Sequence, residues 1–351
     1  EVKTKPTQHS VKQLQSEGVQ PDMLVLRTEH PLNKDILRKV ALFCNVEVDA
    51  VVQSVDVSTI YEVPLKMQEQ NMDEIVLRKL GMPIGEKPEM QPWRDFLSKK
   101  KHAKSTIKIG LVGKYVELPD AYKSINESLL QAATYNEHKL DLHFILSDKL
   151  TEENIEKTLS SMDGILIAPG FGQRGMEGKI HALKYAREHD VPTFGVCLGM
   201  QCMVVEFARN VLGLEEANST EMNNHTPFKV IDLMEEQKNI TNMGGTMRLG
   251  AYKCELEKGS LVYKAYGKKM IEERHRHRFE FNNDFREDFE KNGMKCTGIN
   301  PEMDLVEVVE VPGKKWYLGV QFHPEYNSTV VSPNPLFLSF IKAVVDNKEK
   351  K

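Results

Sequence analysis

A cysteine held between glycines is the most reactive arrangement in this sequence: Gly195-Val196-Cys197-Leu198-Gly199. It ends the short strand-like run Thr193–Val196 and leads into a helix-forming run, Met200–Val211. This pattern is the thiol version of a nucleophile elbow. The glycines permit a strained strand-to-helix turn, the helix N-terminus favours thiolate, and the side chain is expected to project into solvent. A free cysteine more often ends as a small buried hydrophobe. Glycine on both sides, in a strand-to-helix setting, favours the nucleophile here. Cys202 lies inside the same helix without glycine neighbours and reads as packing.

A thiol nucleophile needs a base, and the base needs a group to orient it. Phe322-His323-Pro324-Glu325 offers both. At strand period two, His323 and Glu325 share a face, so the carboxylate can fix the tautomer and orientation of the imidazole. His-Pro-Glu alone would be a weak signal. Its weight comes from the elbow, since no other His-x-acid has a comparable strand-end setting.

These groups need a scaffold, and the chain has the length for one. Its 351 residues, 40% hydrophobic and 28% charged, fit about two domains with a sizeable core. A net charge of -4 argues against a protein built to grip nucleic acid. No apolar run approaches a membrane span, and no charged-then-apolar leader supports secretion. The five cysteines are scattered, odd in number and free of any CxxC pair. They imply a reducing compartment, with neither a disulfide framework nor a zinc site.

From Thr106 onward, strands are predicted at 107–112, 140–146, 164–168 and 193–196. Helices are predicted between and after them, at 124–136, 152–159, 179–189 and 200–211. That alternation predicts βαβ units on a mostly parallel sheet. Beyond about Asn218 the elements shorten. A hairpin, 305–311 with 316–322, and a closing helix, 336–345, complete the chain. Residues 1–82 also read as α/β, with strands at 22–26 and 51–53 and helices at 33–44 and 73–80. Residues 83–104 contain Pro83, Pro88, Pro92 and the basic run Lys99–Lys101. They read as a linker with one helical turn near 93–97.

The elbow with Met200 and Gln201 after it, together with His323-Pro324-Glu325, resembles the class I (triad) glutamine amidotransferase family. The resemblance implies a flavodoxin-like α/β domain that hydrolyses glutamine through a thioester and releases ammonia. Cys197 would be the nucleophile, His323 the base and Glu325 its orienter. The oxyanion hole would combine the N–H of Leu198 with one from Pro169-Gly170-Phe171-Gly172. Many members read Pro-Gly-Gly there; since Pro169 has no N–H, the donor must be Gly170.

Further segments resemble the CTP synthase branch. They are Lys3-Thr4-Lys5-Pro6-Thr7-Gln8-His9-Ser10-Val11, Asp120–Ser124, Ala217–Glu221, Gly244–Gly250 and Arg274-His275-Arg276-His277-Arg278-Phe279-Glu280. Read without the family, Arg274–Arg278 admits a metal site, a nucleic-acid strip or a charged edge strand. Interleaved arginines disfavour the first and the acidic whole disfavours the second. The resemblance implies that Arg278 holds the glutamine α-carboxylate. Gln201 and Glu221 would hold the amino end, beside the backbone of Gly170 and Leu198.

Lys3–Gln8 reads as an anion clamp around a proline-stiffened turn or as a frayed terminus; the resemblance assigns it, with Lys39, to UTP and feedback CTP. Val55, Asp56 and Val57 would line the ATP pocket, with Val55 where a Lys is often found. Arg174, Gly175 and Glu177 would form the GTP effector loop.

The resemblance also implies ATP and Mg2+ as cofactors, GTP as allosteric activator, a full-length homotetramer, and the cytoplasm as location. It assigns residues 1–82 to the C-terminal part of a synthetase (amidoligase) domain of P-loop type, 83–104 to a linker and 105–351 to the glutaminase. No GxxxxGK[ST] occurs, so the chain reads as a fragment that hydrolyses glutamine without making CTP. Two other readings stand beside this one. The first is another triad hydrolase, such as a γ-glutamyl hydrolase or cysteine peptidase, and the second a silent oligomerising scaffold.

Overall fold

The computed structural model describes residues 2–103, 105–118, 120–233 and 247–350. They form two compact units, Glu1–Leu97 and Ser98–Lys351. Gly244-Gly245-Thr246, one of the family-like segments, lies outside the described residues.

In the first unit, α1 (Lys5–Ser16) and α2 (Lys34–Cys44) accompany a parallel pair, β1 (Leu24–Thr28) and β2 (Val51–Val55). Val11, Val40, Ala41, Cys44 and Val51 form its core. Asn33 caps α2, accepting from the Ile36 N–H at 2.9 Å. Lys3–Gln8 is not the turn expected from sequence: Thr4 stands at the cap position of α1, and Lys5–Gln8 form its first turn. Pro6 stands in the first helical turn, where its missing N–H costs nothing, and Gln8 Nε2 donates to Thr4 Oγ1 at 3.1 Å.

Helices α3 (Val63–Gln68) and α4 (Met72–Lys79) follow, then α5 (Gln91–His102). The single turn predicted in the linker is thus a 12-residue helix. Aromatic packing, which the proline-rich composition hides, explains it. Phe96 is buried edge-on against Tyr61 at 5.0 Å between ring centroids, and Trp93 Nε1 donates to the Tyr61 carbonyl at 2.6 Å.

The second unit is built on β3 (Ser105–Gly113), β4 (His138–Leu146), β5 (Gly164–Ile167), β6 (Thr193–Val196), β9 (Arg248–Leu256), β10 (Met270–His277), β12 (Lys295–Asn300), β13 (Leu305–Glu310) and β14 (Tyr317–Val320). They form one nine-stranded sheet in the order β10-β9-β12-β13-β14-β6-β5-β3-β4. Strands β4, β3, β5, β6 and β14 are mutually parallel; the other four join antiparallel. Short strands β7 (Asn218–Ser219), β8 (Lys229–Asp232) and β11 (Glu280–Phe281) pair in a separate sheet.

Crossovers α6 (Lys123–Tyr135), α7 (Ile155–Leu159) and α8 (Met176–Glu188) link the first four parallel strands. Helix α9 (Leu198–Asn210) follows β6, and α10 (Leu261–Tyr266), α11 (Arg286–Lys291) and α12 (Pro335–Lys348) come later. Strands β5, β6 and β14 are buried along their whole length. That explains their unbroken apolar runs, because helices cover both faces of a parallel sheet.

Spatial order 4-3-5-6 is the flavodoxin-like arrangement. It opens a crevice where β3 and β5 send their chains to opposite sides. The loops leaving those strands carry Lys114 and Ala168–Gly172, and β6 beside them delivers Cys197.

Candidate active site

Cys197 caps the N-terminus of α9 with φ 53° and ψ −106°, a backbone region that non-glycine residues rarely occupy. Two close approaches enforce the kink. A Cβ on Gly195 would lie 2.8 Å from the Gly199 carbonyl carbon, and one on Gly199 would lie 2.3 Å from the Ile167 oxygen. The glycines are therefore a steric requirement of strand β6 meeting helix α9. The Cys197 N–H donates to the Val320 carbonyl at 2.7 Å. Leu198 begins the helix, so its N–H has no intrahelical partner.

The expectation that the thiol projects into solvent fails: Cys197 is 2% exposed. The segment after β14 covers it. Gln321 Nε2 lies 3.7 Å from the sulfur, and Gln201 Nε2 donates to Gln321 Oε1 at 3.2 Å and to the Phe279 carbonyl at 2.9 Å. A run of carboxamides thus ties the nucleophile to the chain beyond β10.

His323 Nδ1 and Glu325 Oε1 are 2.7 Å apart, both side chains buried. The pair meets, though not through strand alternation. Pro324, with its fixed φ, opens a 3-10 turn over Pro324–Asn327, and His323 stands at its head. With Nδ1 committed to Glu325, the nitrogen left to exchange a proton is the buried Nε2, and the ring interacts with the Cys197 side chain. Burial disfavours charge on this ring. The interactions with Cys197 and with the Glu325 carboxylate outweigh it and push the imidazole up to about 11.

Opposite the elbow, four contacts pin the loop that should supply the second oxyanion donor. Lys179 Nζ donates to the Ala168 carbonyl at 2.6 Å, Lys114 Nζ to the Gly172 carbonyl at 3.1 Å, and the Gly172 N–H to Glu221 Oε1 at 2.8 Å. The Ala168 N–H donates to Val112 at 3.0 Å. A Cβ on Gly170 would come 3.0 Å from Lys114 Cε and 3.6 Å from Leu198 Cδ2, so Gly170 and the start of α9 stand close together. Lys114 is buried; burial pulls its ammonium below the usual lysine range, and the Glu221 carboxylate opposes this. Glu221 therefore sits at the loop, while the Gln201 side chain lies beneath it, engaged with Phe279 and Gln321.

Arg274–Arg278 runs along β10, the edge strand of the large sheet. Its residues alternate: Glu272, Arg274 and Arg276 are exposed, whereas Glu273, His275 and His277 are buried. His275 Nε2 is 2.8 Å from Glu307 and His277 Nε2 is 2.7 Å from Glu280. Arg248 bridges both carboxylates at 2.9 Å. The two histidines are thus committed to an internal ionic network. No group of three or more His, Cys, Asp or Glu among the described residues is arranged to hold a metal ion. Arg278 stands half-buried just past the strand end, beside the Phe279 carbonyl that accepts from Gln201.

The nucleotide candidates are dispersed. In the first unit, Lys3, Lys5 and Lys39 are exposed and Asp56 pairs with Arg27 at 2.8 Å. Val55 and Val57 flank that pair. In the second unit, Arg174 donates to Asp148 at 3.1 Å and to the Lys114 carbonyl at 3.0 Å, which joins it to the oxyanion loop. Gly175 heads α8 at φ 74°, where a Cβ would strike Ser147 and Asp148. Glu177 pairs with Arg209 at 2.9 Å.

Sequence reasoning missed Lys114, Lys179 and Gln321. Gln321 stands two residues before His323, at the end of β14. Lys114 follows the first strand of the parallel sheet, where crevice residues are expected. Lys179 gave no signal, being one lysine in an amphipathic helix.

A strained cysteine between two parallel strands, with a His–Glu pair and a braced glycine loop, defines a triad amidotransferase. The family model described as Glutamine amidotransferase class-I matches residues 117–343, and the chain belongs to that family. The model described as CTP synthase N-terminus matches residues 1–82. A CTP synthase of Bacteroides fragilis is 65% identical over 346 residues, covering 99% of this chain and 65% of that protein. One from Porphyromonas gingivalis is 66% identical over 350 residues, covering 100% of this chain and 65% of that protein. The solved glutaminase domain of a Trypanosoma brucei CTPS with bound acivicin is 37% identical, with a TM-score of 0.65. That match covers 68% of this chain and 94% of that one. Within the amidotransferases, the chain belongs to the CTP synthase family. It spans 65% of the length of the bacterial relatives named here.

Proposed function

We propose that the chain hydrolyses glutamine at Cys197 and serves as the ammonia-supplying part of a CTP synthase that aminates UTP. The observation that carries this reading is the pairing of two devices in one crevice: the elbow at φ 53° and the 2.7 Å His323–Glu325 contact. His323 Nε2 would hold the proton that Cys197 gives up while sulfur attacks the glutamine carboxamide. The N–H groups of Leu198 and Gly170 would hold the oxyanion. Collapse of the tetrahedral intermediate would form the thioester and pass the imidazolium proton to departing ammonia. Water, deprotonated by the same imidazole, would then release glutamate.

Arg278 would hold the substrate carboxylate. Glu221 and Gln201, already bonded into the loop and the floor of the site, would shape the ammonium end. Residues 1–82 fit the end of a synthetase domain, 83–104 a connection, and 105–351 the glutaminase. On the same family grounds Lys3–Gln8 and Lys39 would meet UTP or CTP, and Val55, Asp56 and Val57 would meet ATP. Arg174, Gly175 and Glu177 would meet GTP, and the whole enzyme would be a cytoplasmic homotetramer. Among the described residues no acidic cluster is arranged for Mg2+, and Asp56 pairs with Arg27. No step above runs through Mg2+ or ATP. No described helix is long and apolar enough to cross a membrane.

The test is to treat the chain with a thiol-reactive glutamine analogue, map the adduct by mass spectrometry, and assay glutamate release. Modification at Cys197 with loss of activity is expected. An adduct at another residue, or glutamate release that persists after Cys197 is blocked, would overturn the reading.

A further inference from the structure

One buried cation is unused by the chemistry above. Lys179 is 1% exposed, and no carboxylate among the described residues lies within ion-pair distance of it. Among the described residues its one side-chain hydrogen bond goes to the Ala168 carbonyl. Burying an ammonium without a counter-ion is costly, and a methionine would fill the same space without that cost.

Its position accounts for the expense. Ala168 ends β5 and immediately precedes Pro169-Gly170, so the lysine holds the peptide from which the oxyanion loop springs. Pro169 cannot donate a hydrogen bond, and two of the other restraints on the loop lie at Gly172, beyond Gly170. On the near side the Ala168 N–H is held by the Val112 carbonyl of the sheet, and the Lys179 ammonium is the side-chain restraint, on the Ala168 carbonyl. The titratable groups that face the ammonium are Cys202 on α9, Lys114 just after β3, Cys197 itself and Asp148. Burial pulls the lysine down to about 8.

We infer that Lys179 is a positioning residue for glutamine hydrolysis, holding the Ala168 carbonyl so that the Gly170 N–H faces the oxyanion formed at Cys197. The inference rests on the glutaminase reading. Lys179 sits on the first turns of α8, the helix headed by Gly175. The candidate effector loop and the near anchor of the oxyanion loop therefore share one rigid element.

The test compares Lys179→Met with the parent 351-residue chain for glutamate release and thermal unfolding. Loss of the anchor should lower kcat by about tenfold to hundredfold, the scale set by small misplacements of reacting groups. KM should move by less than about threefold, because ground-state binding is untouched. The Tm should be equal to or above that of the parent, since an uncompensated buried charge is gone. Lys179→Gln, which keeps a donor without the charge, should retain more kcat than the methionine variant. A kcat within twofold of the parent, a kcat loss that merely follows a fall in Tm, or equal defects in both variants would overturn the inference. A parent chain that releases no glutamate would overturn the glutaminase reading, and this inference with it.

Discussion

The main-chain N–H of His323 donates to the carbonyl of Arg274 at 2.8 Å. The candidate base is therefore docked directly on the strand that leads to Arg278. Two side-chain contacts reinforce the dock. Tyr326 stacks on the His323 ring at 5.4 Å with the Arg274 guanidinium 5.8 Å from its own centroid, and Asn327 donates to the buried Glu273 at 2.6 Å. A one-residue slip of β10 would turn His275 and His277 outward and disconnect the base at the same time.

Cys197→Ser should lower glutamate release by about a thousandfold or more while leaving the fold intact, because a hydroxyl is a far weaker nucleophile at neutral pH. Steady-state kinetics with a matched thermal melt checks this. Activity near the parent's would remove Cys197 from the chemistry.

Arg278→Ala should raise the KM for glutamine by about tenfold to hundredfold, the value of a charge-assisted contact to a carboxylate, with little change in kcat. An unchanged KM would return this arginine to the role of a charged strand end.

Arg174→Ala should leave basal glutaminase nearly intact and abolish stimulation by GTP. It removes the link from the candidate effector loop to the Lys114 carbonyl. Equal GTP responses in variant and parent would place the effector elsewhere.

Glu310 carries a pH-dependent cost. Burial pushes its carboxyl up to about 7, although it accepts from the Leu261 N–H at the start of α10. A carboxyl raised in the folded state favours folding while protonated. That stability is complete below about pH 4.5 and lost as pH rises through 7. Glu310→Gln should match the parent near pH 4.5 and exceed it at pH 8 by on the order of 3 kcal/mol. Urea unfolding at the two pH values tests this; identical pH slopes would exclude it.

Gly199→Ala should fail to accumulate as folded protein, since its Cβ would meet backbone, the Ile167 carbonyl, at 2.3 Å. Soluble yield and circular dichroism decide the matter. A well-folded alanine variant would show that β6 and α9 can separate after all.

The parallel half of the sheet and the strained turn at Cys197 were legible because both write local signatures: apolar runs for β5 and β6, and glycine on each side of Cys197. What was illegible depends on distant partners. Helix α5 was hidden because its burial depends on Tyr61, thirty residues away in sequence and invisible to local composition. His275 looked available until the fold brought Glu307, 32 residues on, against it. Lys179 looked like any surface lysine, because amphipathic spacing says which face is buried, not that a charge will be buried there deliberately. The His323–Glu325 contact was expected for the wrong geometric reason, strand alternation, where Pro324 imposes a tight turn.

The edge position of β10 carries a consequence for how the protein behaves in a crowded solution. An open strand edge is a template for pairing with another chain, and proteins blunt such edges with charge or cover. Here Glu272, Arg274 and Arg276 supply the charge, and the segment that carries the candidate base His323 supplies part of the cover by taking the Arg274 carbonyl. Order at the candidate site and colloidal order thus depend on the same few residues. A lesion that loosens 323–327 would do more than slow a reaction: it would uncover a sticky edge, and the damaged protein would be removed by self-association as well as by inactivity.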